Sequence, residues 1–102
     1  MKHNEIKSYF RKRLQKELDA YGIKVLSIDK SNASKILYIV DDANFRTDFV
    51  VDCWFATDDY EISIYEAKDK INYFKDAFFT VKGRYSNLEP LWQVVTKLTE
   101  NY

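Results

Sequence analysis

The sequence has very few of the residues on which common catalytic and nucleotide-binding motifs depend. Its 102 residues include one cysteine, one histidine and two glycines. Because Cys53 stands alone, an internal disulfide is excluded and a reducing compartment is favoured. Since His3 is the only imidazole, a Cys-His or Ser-His catalytic couple is not expected. With only Gly22 and Gly83, the chain cannot form a phosphate-binding P-loop or a dinucleotide fingerprint. One cysteine and one histidine are also too few for a zinc site, so no cofactor is expected.

A net charge and a long apolar run are also absent. The 16 basic and 16 acidic side chains sum to a formal charge of zero, so no net field attracts the chain to nucleic acid or to an anionic membrane. The longest apolar run, Ile36 to Val40, is far shorter than a membrane span, and the first residues lack the apolar stretch of a secretory signal. We therefore expect a cytoplasmic protein without membrane contact.

Large apolar side chains, by contrast, are abundant. Hydrophobic residues make up 46% of the chain and aromatic residues 17%, which excludes a disordered protein. The length is enough for one compact domain and too short for two. Because no repeat or Pro/Gly-rich linker interrupts it, we expect a single domain over residues 1–102.

Hydrophobic spacing predicts a helix at each end of the chain. Four apolar residues recur every four positions near the start: Ile6, Phe10, Leu14 and Leu18. With Gly22 as a stop, they predict a helix over residues 3–21. Near the other end, Ser86 and Glu89 have the spacing of a capping box at a helix start. The apolar stripe of this second helix consists of Leu88, Leu91, Trp92, Val95, Leu98 and Tyr102.

The segment between the helices has the β-branched and aromatic composition of strands. IKVLSIDK and KILYIVDD, separated by the turn-like SNAS, predict a hairpin, and alternation over 45–55 and 60–67 predicts two more strands. The expected fold is α+β: an N-terminal helix, a four-stranded antiparallel meander, and one or two C-terminal helices packed on one sheet face.

Residues 69–85 are ambiguous. The spacing of Ile71, Phe74, Phe78 and Val81 favours a helix to about residue 80, whereas AFFTVKGRY alone could pair as a fifth strand. The helix is the prediction.

One side of the third and fourth predicted strands combines charged and aromatic residues. The candidate partner-binding residues are Arg46, Asp48, Val50, Asp52 and Trp54 on one strand, with Glu61 and Tyr65 on the next. Aromatic anchors among charges are typical of recognition surfaces. Leaving a tryptophan in water forgoes about 2 to 3 kcal/mol of burial. The alternative is that Trp54 is covered by its neighbours or by residues 69–85, and that the carboxylates only keep this face soluble.

Glu66-Ala67-Lys68 resembles the Glu-x-Lys element of the PD-(D/E)xK nucleases. The resemblance implies carboxylates that hold a divalent metal and a lysine that assists the attacking water. The alternation of the strands counts against a nuclease site. Glu66 has the same parity as the residues expected to be buried, whereas Asp48 and Asp52 lie on the opposite face. Asp41 or Asp42 remains as an alternative partner for Glu66.

Five basic residues lie in the first predicted helix: Lys7, Arg11, Lys12, Arg13 and Lys16. They are candidates for phosphate contacts. At 100° per residue, however, they spread around the helix and alternate with Glu5, Glu17 and Asp19, which is typical of a solvated face.

The sequence therefore predicts a small non-enzymatic protein-binding domain. The expected partner is a basic protein, or a second copy of the chain in a homodimer in which Arg46 crosses to a carboxylate. The small size and the lack of catalytic motifs are similar to those of phage or mobile-element proteins that inhibit or regulate host factors. A metal-dependent nuclease is the alternative function, and nucleic-acid binding without cleavage is the third.

Overall fold

The computed structural model describes residues 3–29, 34–41, 46–66, 77 and 79–100. Within these ranges the chain forms two helices and five strands. In chain order they are α1 (His3–Asp19), β1 (Ile23–Asp29), β2 (Ser34–Asp41), β3 (Arg46–Phe55), β4 (Asp59–Glu66), β5 (Phe79–Arg84) and α2 (Glu89–Thr99). Neither of these helices is long and apolar enough to span a lipid bilayer.

The five strands form one antiparallel sheet in the order β1-β2-β3-β4-β5. Strands that are consecutive in the chain are therefore neighbours in the sheet, as short connections favour. Both helices pack on the same sheet face, where α1 contacts β1 and β3 and α2 contacts β4 and β5. The predicted α+β meander with helices on one face is confirmed, with five strands in place of four.

The fifth strand is the main difference from the predicted fold. A helix was expected to about residue 80, but residues 79–84 pair with β4, as the alternative interpretation of AFFTVKGRY allowed. Val81 is buried while Thr80 and Lys82 are exposed, which is the two-residue period of a strand. Of the residues that favoured a helix, Val81 is buried in β5. The other three lie outside the described part of the chain: Ile71, Phe74 and Phe78.

Helix α1 buries a single apolar stripe. The stripe is buried completely, as its spacing predicts, and consists of Ile6, Phe10, Leu14 and Leu18. Burying one such side chain contributes about 1.5 to 3 kcal/mol. The helix ends at Asp19, and Gly22 adopts a φ of 69°, a conformation that glycine reaches without steric cost. The Gly22 amide donates to the Asp19 carbonyl at 3.1 Å, so the chain reverses directly into β1.

The hydrophobic core lies between the sheet and the two helices. Its largest fully buried side chains include Phe10, Phe55 and Tyr60. Cys53 also lies in this core and is completely buried, as its position in the alternation of β3 predicts. Helix α2 contributes Leu91, Val94, Val95 and Leu98.

Helix α2 begins with a cap that differs from the predicted one. The expected capping box between Ser86 and Glu89 is not formed. Instead, the Glu89 amide donates to Oδ1 of Asn87 at 3.1 Å, and Leu88 occupies the N-cap position without a side-chain hydrogen bond. Pro90 lies in the first turn, where a missing amide hydrogen costs nothing.

Trp92 joins the two helices at the edge of the core. Its indole is partly buried and packs against the core cluster. The Tyr9 ring meets it edge to face at a centroid distance of 5.5 Å, and the Arg13 guanidinium lies 5.1 Å from the indole centroid. The predicted packing role of Trp92 is therefore confirmed, whereas Tyr102 lies outside the described residues.

Candidate protein-binding face

The sheet face opposite the helices, here called the outer face, carries the second set of alternating strand residues. Because side chains alternate between the two faces of a strand, residues between the core positions lie here. The pairing registers arrange them in rows across the sheet. One row contains Ser34, Trp54, Glu61 and Lys82; the next contains Ile28, Ile36, Asp52, Ser63 and Thr80; the third contains Leu26, Tyr38, Val50 and Tyr65.

Trp54 is the most accessible aromatic residue of this face. Half of its surface is exposed. Its direct neighbours in the pairing register are Ser34 on β2 and Glu61 on β4. Of the two alternatives that the sequence left open, exposure rather than cover is the one observed for Trp54.

Trp54 also forms part of the wall of an open groove of about 390 Å³. The groove is lined by Trp54, Asp59, Tyr60, Glu61, Lys82, Gly83 and Arg84. The Glu61 carboxylate lies 4.0 Å from Nζ of Lys82, and Asp59 is opposite Arg84 in the register of β4 and β5. Acidic and basic groups are therefore balanced here. The sequence predicts an acidic-aromatic face, and at this end the acidic groups are matched by Lys82 and Arg84 of β5.

Lys82 and Arg84 are members of this face that were not predicted from the sequence. With a helix predicted to about residue 80, the few residues that follow it had no strand to belong to, so Lys82 and Arg84 had no predicted position in the sheet. A signal was present, since Thr80, Lys82 and Arg84 alternate with the more apolar Phe79 and Val81.

The other predicted residues of β3 and β4 differ in accessibility. Asp52 is partly buried and accepts a hydrogen bond from Oγ of Ser34 at 3.4 Å. Tyr65 is partly buried as well. Val50 lies on the outer face but is only 1% exposed. Val50 is therefore not part of the accessible surface of this face.

The aliphatic part of the outer face lies on β1. Leu26 and Ile28 are 48% and 55% exposed, which is unusual for two large aliphatic residues on one strand. The partner of Ile28 on β2, Ile36, is buried. Leu26 and Ile28 were not among the predicted site residues, although their alternation with Val25 is visible in IKVLSIDK.

The uninterrupted row predicted along β3 is broken near its start. The pairing register of β2 and β3 shifts between Ile39 and Val40, so that Asp48 is the extra residue of a β-bulge. Arg46 is consequently paired with Asp41, one position out of phase with the rest of the strand. The side chains of Arg46 and Asp48 lie outside what the structure describes.

Asp52 and Glu66, two of the residues considered for catalysis, are not brought together. Asp52 lies on the outer face, whereas Glu66 pairs with the core residue Phe49 at the other parity. Lys68 and Asp42 lie outside the described residues. In the described part of the chain, no group of three or more His, Cys, Asp and Glu side chains is placed to bind a metal ion.

The thiol of Cys53 has the properties of a core residue. Burial raises its pKa well above the ordinary value of 9.0, and the neighbouring Asp52 carboxylate acts in the same direction. A protonated, buried thiol is a poor nucleophile.

The basic residues of α1 do not form one accessible cluster. Lys7 is buried, and Arg11 donates from Nη2 to the Val25 carbonyl at 3.3 Å. Arg13 forms an ion pair with Glu17 at 3.3 Å. These contacts hold three of the five basic side chains against the protein itself.

Comparison with protein-family models, with curated proteins and with solved structures returned no match. The function therefore has to be inferred from the chemistry of the outer face.

Proposed function

We propose that this chain is a small non-enzymatic protein-binding domain that recognises another protein with the outer face of its sheet. The observation that carries the proposal is the half-exposed indole of Trp54 at a groove lined by charges of both signs. Partly buried aromatic anchors surrounded by polar groups are the usual composition of protein recognition surfaces.

The energetics favour Trp54 as the anchor. A tryptophan side chain buries up to about 250 Å², so covering its exposed half removes roughly 125 Å² from water. At about 25 cal/mol per Å², this contributes about 3 kcal/mol, or a factor of about 100 in the dissociation constant. An exposed ion pair such as Glu61 with Lys82 contributes only about 0 to 1 kcal/mol. The indole therefore provides affinity, and the charges provide specificity and orientation.

The groove also indicates the chemistry of the partner. An apolar side chain of the partner is expected to pack beside Trp54. Because Glu61 and Lys82 lie on the same rim, the partner should present charges of both signs around that side chain. By covering a partner's surface in this way, a domain of this size would act as an inhibitor or regulator without chemistry of its own.

The proposal is tested by exchanging Trp54 for a photo-reactive amino acid, p-benzoylphenylalanine, and cross-linking in extract of the cells that encode the chain. The same amino acid at Tyr21, which is also 50% exposed but lies in the turn after α1, is the matched control. A protein that is cross-linked from position 54 and not from position 21, and that Trp54→Ala no longer retains, supports the proposal. Equal cross-linking from both positions would contradict it.

A further inference from the structure

The free edge of β1 is protected along only part of its length. The Val25 amide donates to Oε1 of Gln15 at 2.8 Å, and Nε2 of Gln15 donates to the Ile23 carbonyl at 3.0 Å. The Val25 carbonyl accepts a hydrogen bond from Nη2 of Arg11 at 3.3 Å. Side chains of α1 therefore take the place of a neighbouring strand over the first half of β1.

The second half of this edge has a different environment. In an antiparallel ladder the polar backbone groups of alternate residues point to the same side. Because the Val25 amide points away from β2, the amides and carbonyls of Ser27 and Asp29 point away from it too. Among the described residues, the side-chain hydrogen bonds to this edge end at Val25.

The outer-face side chains beside this free segment are aliphatic. Leu26 and Ile28 are about half exposed. The opposite edge strand, β5, instead carries Lys82 and Arg84 at its exposed outer-face positions. Charged residues on an edge strand discourage further strand pairing, whereas exposed aliphatic residues favour it. Asp29 is the one charged residue of segment 27–29, and the described side-chain hydrogen bonds to this edge do not reach the segment.

We propose that a second copy of this chain pairs with β1 through residues 27–29, as an antiparallel strand around a two-fold axis at Ile28. In this register Ser27 of each copy forms a hydrogen-bonded pair with Asp29 of the other, which gives four backbone hydrogen bonds. Ile28 then faces its own copy in a non-hydrogen-bonded pair, where side chains approach most closely. The contact is isologous, as in most homodimers.

The protected half of β1 indicates why a second copy fits. A long strand from another protein would collide with Gln15 and Arg11 beyond Val25. In the two-fold arrangement the two Val25 residues are six positions apart, or about 20 Å along the ladder. The protected halves of the two β1 strands therefore do not face each other. The pairing must therefore be short, and a two-fold arrangement at Ile28 uses the same short segment of both copies.

The contact area is small, so the dimer is expected to be weak. Interfaces well below about 1,200 Å² are typical of transient complexes. We expect a dissociation constant on the order of 100 µM. Sedimentation equilibrium of the purified chain between about 10 µM and about 1 mM should therefore show a monomer that converts to a dimer. A chain that stays monomeric over this range would overturn the inference.

Two variants at position 27 test the backbone contact. Ser27→Pro removes an amide hydrogen that points away from β2, a place where edge strands tolerate proline. It is expected to weaken the dimer at least tenfold, while Ser27→Ala, which keeps the amide, leaves the dissociation constant unchanged. Equal dimerisation of both variants would refute the proposed register.

A charge exchange at the two-fold axis remains decisive if Ser27→Pro fails to fold. Ile28→Lys alone and Ile28→Glu alone should each be monomeric, because like charges face each other. A mixture of the two should form a heterodimer, and its failure to associate would also overturn the inference. Trp54→Ala should leave the dimer unchanged, so this test is independent of the proposed partner-binding function.

Discussion

Tyr60 of β4 packs directly over Gly83, its register partner on β5. A Cβ atom on residue 83 would overlap with the hydroxyl group and the ring of Tyr60. The Tyr60 hydroxyl donates to the Asn87 carbonyl at 2.8 Å. Its ring stacks on Tyr85 at a centroid distance of 6.3 Å, and the Tyr85 hydroxyl donates to the Ala56 carbonyl. Tyr60 thus attaches the segment before α2 to the sheet, and Tyr85 attaches the segment after β5 to the end of β3.

We expect Gly83→Ala to lower the free energy of unfolding by about 1 to 3 kcal/mol, because the added methyl group overpacks the contact with Tyr60. Urea denaturation measures this change. Gly22→Ala is a control with a different cause, since nothing lies within 4 Å of its Cβ position and only the positive φ opposes the substitution. Asparagine, which tolerates positive φ, should be accepted at Gly22 and rejected at Gly83. Wild-type stability of Gly83→Ala would show that Tyr60 moves aside easily.

We expect Gln15→Ala to destabilise the fold by about 1 to 3 kcal/mol, since it leaves the Val25 amide and the Ile23 carbonyl without their side-chain partner. Native-state hydrogen exchange should show faster exchange at the Val25 amide. Lys16→Ala removes an exposed side chain from the next position of α1 and should change stability by less than about 0.5 kcal/mol. Equal stability of the two variants would mean that Gln15 contributes nothing to edge protection.

The two tryptophans are expected to differ in emission and in their contribution to stability. In Trp92→Phe, the remaining Trp54 should emit at long wavelength and be quenched efficiently by iodide, because half of it is exposed. In Trp54→Phe, the partly buried Trp92 should emit at shorter wavelength with weaker quenching. Trp92→Ala should cost about 2 to 4 kcal/mol and Trp54→Ala about 1 to 2 kcal/mol. A shorter emission wavelength and weaker quenching for Trp54 than for Trp92 would contradict the exposure of Trp54.

Stability should decrease at alkaline pH because of Cys53. Its pKa is raised by burial, so the unfolded chain loses the thiol proton first, near the ordinary value of 9.0. The protonated Cys53 thiol therefore contributes fully to the free energy of unfolding below about pH 9. Above that pH the contribution is lost, with a slope of up to about 1.4 kcal/mol per pH unit.

Urea denaturation at about pH 8, 9 and 10 measures this slope. Cys53→Ala should show a shallower decrease between about pH 9 and 10, whatever its absolute stability. Burial also raises the pKa values of Tyr60 and Tyr85 above their ordinary value of 10.0, and they extend the decrease to higher pH in both proteins. Identical slopes for the two proteins would show that Cys53 does not titrate in this way.

Periodicity predicted the parts of the fold that depend on neighbours in the chain. The four-residue spacing of the α1 stripe predicted its burial, and the alternation of β3 predicted that Cys53 is buried and Trp54 lies on the other face. Both patterns follow from the geometry of one element and need no knowledge of its partner. The helix expected up to residue 80 shows the limit, since short apolar runs suit either period and only pairing with β4 decides between them.

Composition and periodicity by themselves determined an α+β domain with a helix at each end and a meander between them. Tertiary structure alone decided which charges meet. Lys82 and Arg84 balance Glu61 and Asp59 only because β5 pairs with β4. Likewise, Gln15 protects half of an edge strand only because α1 packs across β1. Such contacts join residues that are distant in the chain and close in space. The sequence gives only the first of these two distances directly, because strand pairing and helix packing decide the second.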